Sequence, residues 1–112
     1  MPMEQSRQAA IVTGGAGGIG GAVVARLHAA GTRVLMVDAN AELLRREAAR
    51  FPADSVVPVT ADVTDAAAVE MATARAMAEF GRIDALINVA GGAGPVKVHA
   101  IESIGLDTWT FT

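Results

Sequence analysis

A run of glycines near the N-terminus constrains this 112-residue chain more than any other feature. Residues Thr13–Gly20 read TGGAGGIG; they follow the apolar run Ala9–Val12 and precede the helix-like run Ile19–Ala30. The order is therefore strand, glycine turn, helix. Glycine admits positive φ and close approach of a ligand, while the first turn of a helix has unpaired N–H groups and the positive end of the helix dipole. This arrangement predicts a phosphate-binding turn.

Asp38 strengthens the prediction, because it ends the next apolar run, Arg33–Val37, where a ribose-binding carboxylate is expected about 20 residues after the turn. Such a carboxylate accepts hydrogen bonds from the adenosine ribose hydroxyls and repels a 2′-phosphate, which favours NAD over NADP. No basic residue stands in the glycine turn or directly after Asp38, where Ala39 follows. The alternative is that Asp38 is only a solvated strand-end residue or a helix cap.

Short apolar runs alternate with longer periodic stretches along the chain. Four runs rich in Val, Ile or Leu predict buried strands: Ala9–Val12, Arg33–Val37, Val56–Thr60 and Ala85–Val89. Strict alternation of strands and helices indicates parallel strands with right-handed crossovers and helices on both faces of the sheet. We therefore predict a doubly wound parallel α/β sheet, Rossmann-like, of about four strands and three helices, in a single domain over residues 1–112.

Three helices are predicted between these strands. The apolar stripe of the first is Ile19, Val23, Leu27 and Ala30, with Gly31 as its C-terminal stop. Asn40 can cap the second, whose stripe is Leu44, Ala48 and Phe51 before Pro52. Thr64 or Asp65 can cap the third, whose stripe is Val69, Ala72, Ala76 and Phe80 before Gly81.

Composition excludes several kinds of partner. A formal net charge of −3 with no basic run gives no reason to expect nucleic acid or an anionic membrane surface. The absence of cysteine rules out disulfides and thiolate metal sites, and two histidines without a nearby carboxylate cluster predict no metal site. The N-terminal residues are polar, and the apolar run after them is too short for a signal peptide or a membrane span. We expect a cytoplasmic protein.

Other phosphate- and nucleotide-binding turns fit the glycines less well. A P-loop needs a Lys and a Ser or Thr closing the run, whereas Ile19, Gly20 and Gly21 stand there. Turns that bind S-adenosylmethionine usually follow an acidic residue at the end of the first strand, which here ends in Val12 and Thr13. That ligand stays a minor alternative, as does a tight turn that binds nothing.

Residues 9–91 resemble the short-chain dehydrogenases/reductases. The family's Thr-Gly-x-x-x-Gly-x-Gly motif is matched by Thr13, Gly14, Gly18 and Gly20, and its fourth-strand Asn-Asn-Ala-Gly motif by residues 88–91, with Val89 in place of the second Asn. The run from Asp84 to Ile87 before it is also typical. The resemblance implies strand order 3-2-1-4 and a cofactor site in which Gly14, Gly18, Ile19 and Gly20 hold the diphosphate and Asp38 the adenosine ribose.

The resemblance also implies roles for residues further along the chain. Asp62 and Val63 match the family's adenine-binding pair, while Asn88, Ala90 and Gly91 line the path toward the ribose on the nicotinamide side. Val89 removes one polar contact from that path. The implied activity is hydride transfer between a nicotinamide cofactor and an alcohol or carbonyl substrate.

The family's catalytic groups are missing from these 112 residues. Its Tyr-x-x-x-Lys pair cannot be formed, because the chain has no tyrosine and its single lysine is Lys97. We assign no catalytic role to His28, His99 or Ser103. NAD binding is predicted and turnover by this chain alone is not, so a substrate is expected only if a catalytic half is supplied. The competing hypotheses are a non-catalytic binding or interaction module, joined to a partner or a second copy through an open strand edge, and a fragment of a longer protein.

Overall fold

The computed structural model describes residues 7–90, and it confirms the predicted alternation of strands and helices. The elements in chain order are β1 (Ala9–Thr13), α1 (Gly18–Ala29), β2 (Arg33–Asp38), α2 (Ala41–Ala48), β3 (Val56–Thr60), α3 (Ala66–Phe80) and β4 (Ala85–Asn88). Gly91, Lys97, His99 and Ser103 lie outside the described residues. None of the three helices has the length and apolarity that a membrane crossing requires within residues 7–90.

The four strands form one sheet in the order β3-β2-β1-β4, and every neighbouring pair is parallel. Ile11 of β1 lies opposite Leu35 on one side and Leu86 on the other. The Rossmann-like fold class and the strand order predicted from the sequence are thus confirmed. The crossovers carry the chain outward from β1 to β2 and β3 and then back across β1 to β4.

Helices cover both faces of the sheet, because residues of the central strands alternate between two cores. On one face α1 and α2 pack against the strands, with a core of Val12, Ala16, Val24, Val34, Met36, Leu44, Ala48 and Val56. On the other face α3 packs through Ala72, Ala76 and Phe80 on Ala9, Ile11, Leu35, Val37 and Val57. β1 and β2 are therefore buried on both sides, as the near-continuous apolar runs indicate.

Local capping sets the helix ends. The Asn40 side chain accepts a hydrogen bond from the amide of Leu43 at 3.1 Å, and the Asp65 side chain accepts bonds from Ala67 and Ala68. Asp65 rather than Thr64 is therefore the cap of α3. Gly31 and Gly81 take φ values of 87° and 74°, the left-handed conformation that glycine adopts without steric cost and that ends α1 and α3 as predicted.

The predicted apolar stripe of α1 is wrong by one position. The structure buries Gly20 and Val24, only partly buries Val23 and Leu27, and leaves Ile19 74% exposed. The reason is that the backbone of Gly20 packs directly on the glycine turn, which rotates the neighbouring Ile19 toward solvent. In α3 the predicted stripe holds for Ala72, Ala76 and Phe80, but Val69 is 41% exposed.

The two outer strands are also less buried than predicted. In β4 only Ile87 is partly covered, and Leu86 is 58% exposed, while in β3 Pro58 and Thr60 are exposed and Val56 and Val57 are buried. Both strands pair on one side only within residues 7–90, so helices that cover β1 and β2 do not fully cover them. Pro58, which has no N–H, is suited to such an edge.

Asp84 joins the start of β4 to the start of β1. Its carboxylate accepts the Ala9 amide at 2.8 Å, and its own amide donates to the Ala9 carbonyl at 2.8 Å. The hydrogen bond from the Arg82 guanidinium, followed by that from the Ala9 amide, lowers the pKa of Asp84 below its ordinary value. The two hydrogen bonds between Asp84 and Ala9 fix the register of β4 against β1.

Candidate functional site

The residues predicted to bind a ligand lie after the carboxyl ends of the parallel strands. Thr13, Asp38 and Asn88 end β1, β2 and β4, and the glycine turn connects β1 to α1. The chain leaves β1 toward β2 on one side, whereas β4 lies on the other side of β1. In open α/β sheets, the crevice at such a switch point is where ligands bind.

The glycine turn is held in shape by contacts that admit no side chain at two positions. Gly14 has φ 66°, and a Cβ there would lie 2.8 Å from the amide nitrogen of Ala90. A Cβ on Gly20 would overlap the Gly14 carbonyl oxygen and lie 2.9 Å from the Cα of Gly15. These contacts pack the first turn of α1 tightly on the glycine turn. Gly14 and Gly20 are therefore required by the fold itself.

The N-terminus of α1 offers donors without a capping side chain. Its N-cap is Gly17, no acidic residue lies in its first turn, and the Gly21 amide bonds the Gly17 carbonyl at 2.7 Å. The amides of Gly18, Ile19 and Gly20 therefore precede the hydrogen-bonded ladder, where an anion can accept from them. Ile19 keeps its exposed side chain away from the core, so only its amide serves this turn.

Gly18 is one of three glycines of residues 7–90, with Gly17 and Gly21, that have room for a Cβ and no positive φ, and it is the most open of the three, since a Cβ on Gly17 or Gly21 would meet a backbone oxygen at an ordinary 3.6 or 3.7 Å. Apart from the adjacent residues and the backbone of the first turn of α1, a Cβ on Gly18 would meet no atom within 4 Å, and its φ is not in the left-handed region. The fold alone thus gives no reason for glycine at this position. The open space over α1 is a cradle that a methyl group would enter, which fits the close approach of a diphosphate to the backbone.

Asp38 faces the glycine turn. One carboxylate oxygen, Oδ2, accepts the Ala16 amide at 3.1 Å, and the other, Oδ1, accepts the Asn40 amide at 3.0 Å. A carboxylate has about four lone-pair positions, so about two remain for a ligand. The half-buried side chain is thereby fixed in orientation, with capacity for a pair of hydroxyl donors.

Thr13 connects β1 to β4, a role that the sequence analysis did not assign. Its hydroxyl donates to the Asn88 side-chain oxygen at 3.3 Å and accepts the amides of Val89 and Ala90 at 3.2 and 3.3 Å. The sequence feature that indicates this role is a threonine directly before the first glycine, since a side chain at the end of β1 can reach the end of the neighbouring strand. The structure thus places Asn88 opposite Thr13 and Ala90 against Gly14.

Asp62 and Val63 follow β3 at the same edge of the sheet, and both are exposed. The hydroxyl and the amide of Thr64 both donate to Asp62 Oδ1, at 2.7 and 2.9 Å, and these bonds lower the pKa of Asp62 below its ordinary value. Among the described contacts, none joins Asp62 or Val63 to the glycine turn. Gly91, the remaining predicted site residue, lies outside the described residues.

Comparison with known proteins agrees with the motifs. A family model described as short chain dehydrogenase matches residues 8–110. A 1-deoxy-11-beta-hydroxypentalenate dehydrogenase of Streptomyces arenae is 45% identical over 96 residues, which cover 84% of this chain and 34% of that protein. The chain therefore spans about a third of the length of this curated relative.

Solved structures share the fold. A 3-ketoacyl-(acyl-carrier-protein) reductase from Brucella melitensis, complexed with NADH, matches with a TM-score of 0.78 at 28% identity, over 91% of this chain and 41% of that chain. The C-domain of a bacterial malonyl-CoA reductase with NADP matches with a TM-score of 0.73 at 35% identity, over 78% of this chain and 15% of that chain. Nicotinamide cofactors of both kinds occur in these neighbours.

Proposed function

The chain belongs to the short chain dehydrogenase family, and from this premise we propose that its glycine turn and Asp38 bind NAD. The amides of Gly18, Ile19 and Gly20 receive the diphosphate, with Gly14 and Gly20 holding the turn in place. The positive end of the α1 dipole adds to the attraction for the anion. The proposed role of this chain is to bind the cofactor within an oxidoreductase.

The observation that carries the proposal is the open space at Gly18. Close backbone contacts explain Gly14 and Gly20, and a Cβ on Gly15 would press on the side chain of Met36. A Cβ on Gly17 or Gly21 would make only ordinary contacts, and one on Gly18 would have the most open surroundings of all. A glycine that the fold does not need, at the first residue of a helix with uncapped amides, is explained by a ligand that approaches the backbone there.

The choice of NAD over NADP depends on charge. The neighbouring structures hold NADH or NADP, so the fold by itself does not select between them. Asp38 has about two lone-pair positions left for the 2′- and 3′-hydroxyls, and its negative charge opposes a 2′-phosphate in the same place. Ala16, Gly17 and Ala39 offer no cation to offset that repulsion.

The remaining predicted residues complete the proposed site. Asp62 and Val63 contact the adenine, which their exposure at the end of β3 supports, since Asp62 has a second oxygen beyond the one that Thr64 engages. Asn88, Ala90 and Gly91 border the ribose on the nicotinamide side. The hydrogen bond between Thr13 and Asn88 and the contact of Ala90 with Gly14 support this for the two residues that the structure describes.

The reaction of the whole protein is proposed as hydride transfer between the cofactor and an alcohol or carbonyl substrate. The bound nicotinamide would donate or accept the hydride. The chain covers about a third of its Streptomyces arenae relative, and its sequence has no tyrosine for the family's Tyr-x-x-x-Lys pair. We therefore propose that the residues that bind and protonate the substrate belong to a further part of a longer protein or to a second chain.

One further expectation is supported but stays a prediction. Within the described residues β4 pairs only with β1, and its residue Leu86 is 58% exposed, which supports association of this edge with a further strand or a second copy of the chain. The cytoplasmic location and the single domain over residues 1–112 also stay predictions.

The proposal is tested by calorimetric titration of the full chain with NAD and, separately, with NADP. We expect NAD to bind at least about tenfold more tightly, a difference of about 1.4 kcal/mol, because only NADP brings a phosphate to Asp38. Replacement of Asp38 by asparagine should reduce the difference between the affinities for NAD and NADP. Tighter binding of NADP by the unaltered chain would contradict the role given to Asp38.

A further inference from the structure

The glycine turn is attached to the end of β2 by two hydrogen bonds. The Gly15 amide donates to the Val37 carbonyl at 3.0 Å, and the Ala16 amide donates to the Asp38 carboxylate at 3.1 Å. The first bond uses the backbone alone, whereas the second depends on one side chain. Asp38 therefore contacts the turn in addition to the place where a ribose would lie.

The environment of Ala16 makes this bond important. Ala16 is only 5% exposed, and its side chain belongs to the core formed with Val12, Val24 and Met36. A buried N–H without an acceptor is costly, and a carboxylate is a stronger acceptor than a neutral group. On the other side of the carboxylate, the Asn40 amide holds Oδ1 and prevents the side chain from turning away.

We infer that Asp38 is a positioning residue for the glycine turn as well as the residue that selects the cofactor. The inference rests on the proposed function only in its consequence for NAD, since the bond to Ala16 exists without any ligand. The same carboxylate fixes residues 15 and 16, which lead directly into the N-terminus of α1. Ribose selectivity and seating of the diphosphate are thus coupled through one side chain.

This coupling has a consequence for changes of cofactor preference. Replacement of Asp38 by a small neutral residue removes the charge that opposes a 2′-phosphate. It also removes the acceptor for the Ala16 amide and loosens the turn that binds the diphosphate. Such a variant should lose affinity for NAD without a matching gain for NADP, whereas asparagine keeps an oxygen for Ala16 and preserves the turn.

The first test measures by NMR the hydrogen exchange rate of the Ala16 amide in the cofactor-free full chain. We expect exchange at Ala16 to be at least about tenfold faster in Asp38→Ala than in the unaltered chain, and Asp38→Asn to restore most of the protection. Asp54→Ala is the matched control, since it removes an exposed carboxylate that accepts the hydroxyl of Ser55 rather than an amide of the glycine turn. The amide of Leu35, in the buried part of β2, reports whether each variant is folded.

The second test compares NAD with an analogue that lacks both hydroxyls of the adenosine ribose. If Asp38 positions the turn, Asp38→Ala weakens binding of the analogue as well as that of NAD, and Asp38→Asn restores binding of the analogue. Unchanged exchange at Ala16 in folded Asp38→Ala, or unchanged binding of the analogue, would overturn the positioning role. If the unaltered chain binds neither nucleotide, the proposed function fails and the exchange result alone decides the inference.

Discussion

Replacement of Gly20 by alanine is expected to destabilise the fold by about 3 kcal/mol, the upper end of the usual cost of overpacking. The added Cβ would overlap the carbonyl oxygen of Gly14 and lie 2.7 Å from its carbon. Both neighbours are backbone atoms of a turn that is fixed to β2, so no change of side-chain rotamer can relieve the contact. Urea denaturation followed by circular dichroism measures the loss.

Gly21→Ala is the matched control for this prediction. Gly21 is the next residue of α1, and a Cβ there would meet its nearest neighbour, the Gly15 carbonyl oxygen, at an ordinary 3.7 Å. Alanine is the better helix former, so this variant should be more stable by up to about 1 kcal/mol. Equal denaturation midpoints for Gly20→Ala and the unaltered chain would show that α1 does not pack on the glycine turn as described.

Replacement of Gly18 by alanine is expected to weaken NAD binding without destabilising the fold. Apart from the adjacent residues and the backbone of the first turn of α1, no atom lies within 4 Å of the new methyl group, so stability should be kept or raised by up to about 1 kcal/mol. If the diphosphate binds as proposed, the methyl group enters the space through which it reaches the amides of α1. The affinity for NAD should therefore fall at least about tenfold, or about 1.4 kcal/mol, as measured by calorimetry.

The comparison with Gly21→Ala removes the effect of helix propensity, since both substitutions add one methyl group to the start of α1. NAD affinity in Gly21→Ala should stay within about twofold of that of the unaltered chain. If Gly18→Ala and Gly21→Ala bind NAD equally well, the diphosphate does not lie against Gly18. The open space at Gly18 would then no longer support the proposed function.

Much of the fold could be predicted because its signals are local. The strands around Ile11 and Leu35 are continuous apolar runs, and Asn40, Gly31 and Gly81 mark helix ends by their own side chain or conformation. The order of the strands followed from a family resemblance rather than from any local signal. The structure confirms this order, because β4 pairs with β1 on the side away from β2.

What the sequence could not predict depends on contacts between distant segments. The exposure of Ile19 follows from close packing of Gly20 on the turn, which helical periodicity does not register. The exposure of Leu86 follows from the position of β4 at the edge of the described sheet. The bond between Ala16 and Asp38 joins residues 22 positions apart, and only the folded geometry reveals it.

The most direct test of the central claim is an NMR titration of the isotope-labelled full chain with NAD, in which the backbone amide signals are monitored. We predict shifts concentrated at residues 14–20 and at Asp38, with the exposed side of α3 around Met71 unchanged. The apolar groove between α2 and β3 reaches Thr60, the strand partner of Asp38, at one end, but its other end around Phe51 and Ala53 should be unaffected. An unchanged spectrum at millimolar NAD, or shifts confined to that end of the groove, would contradict the account.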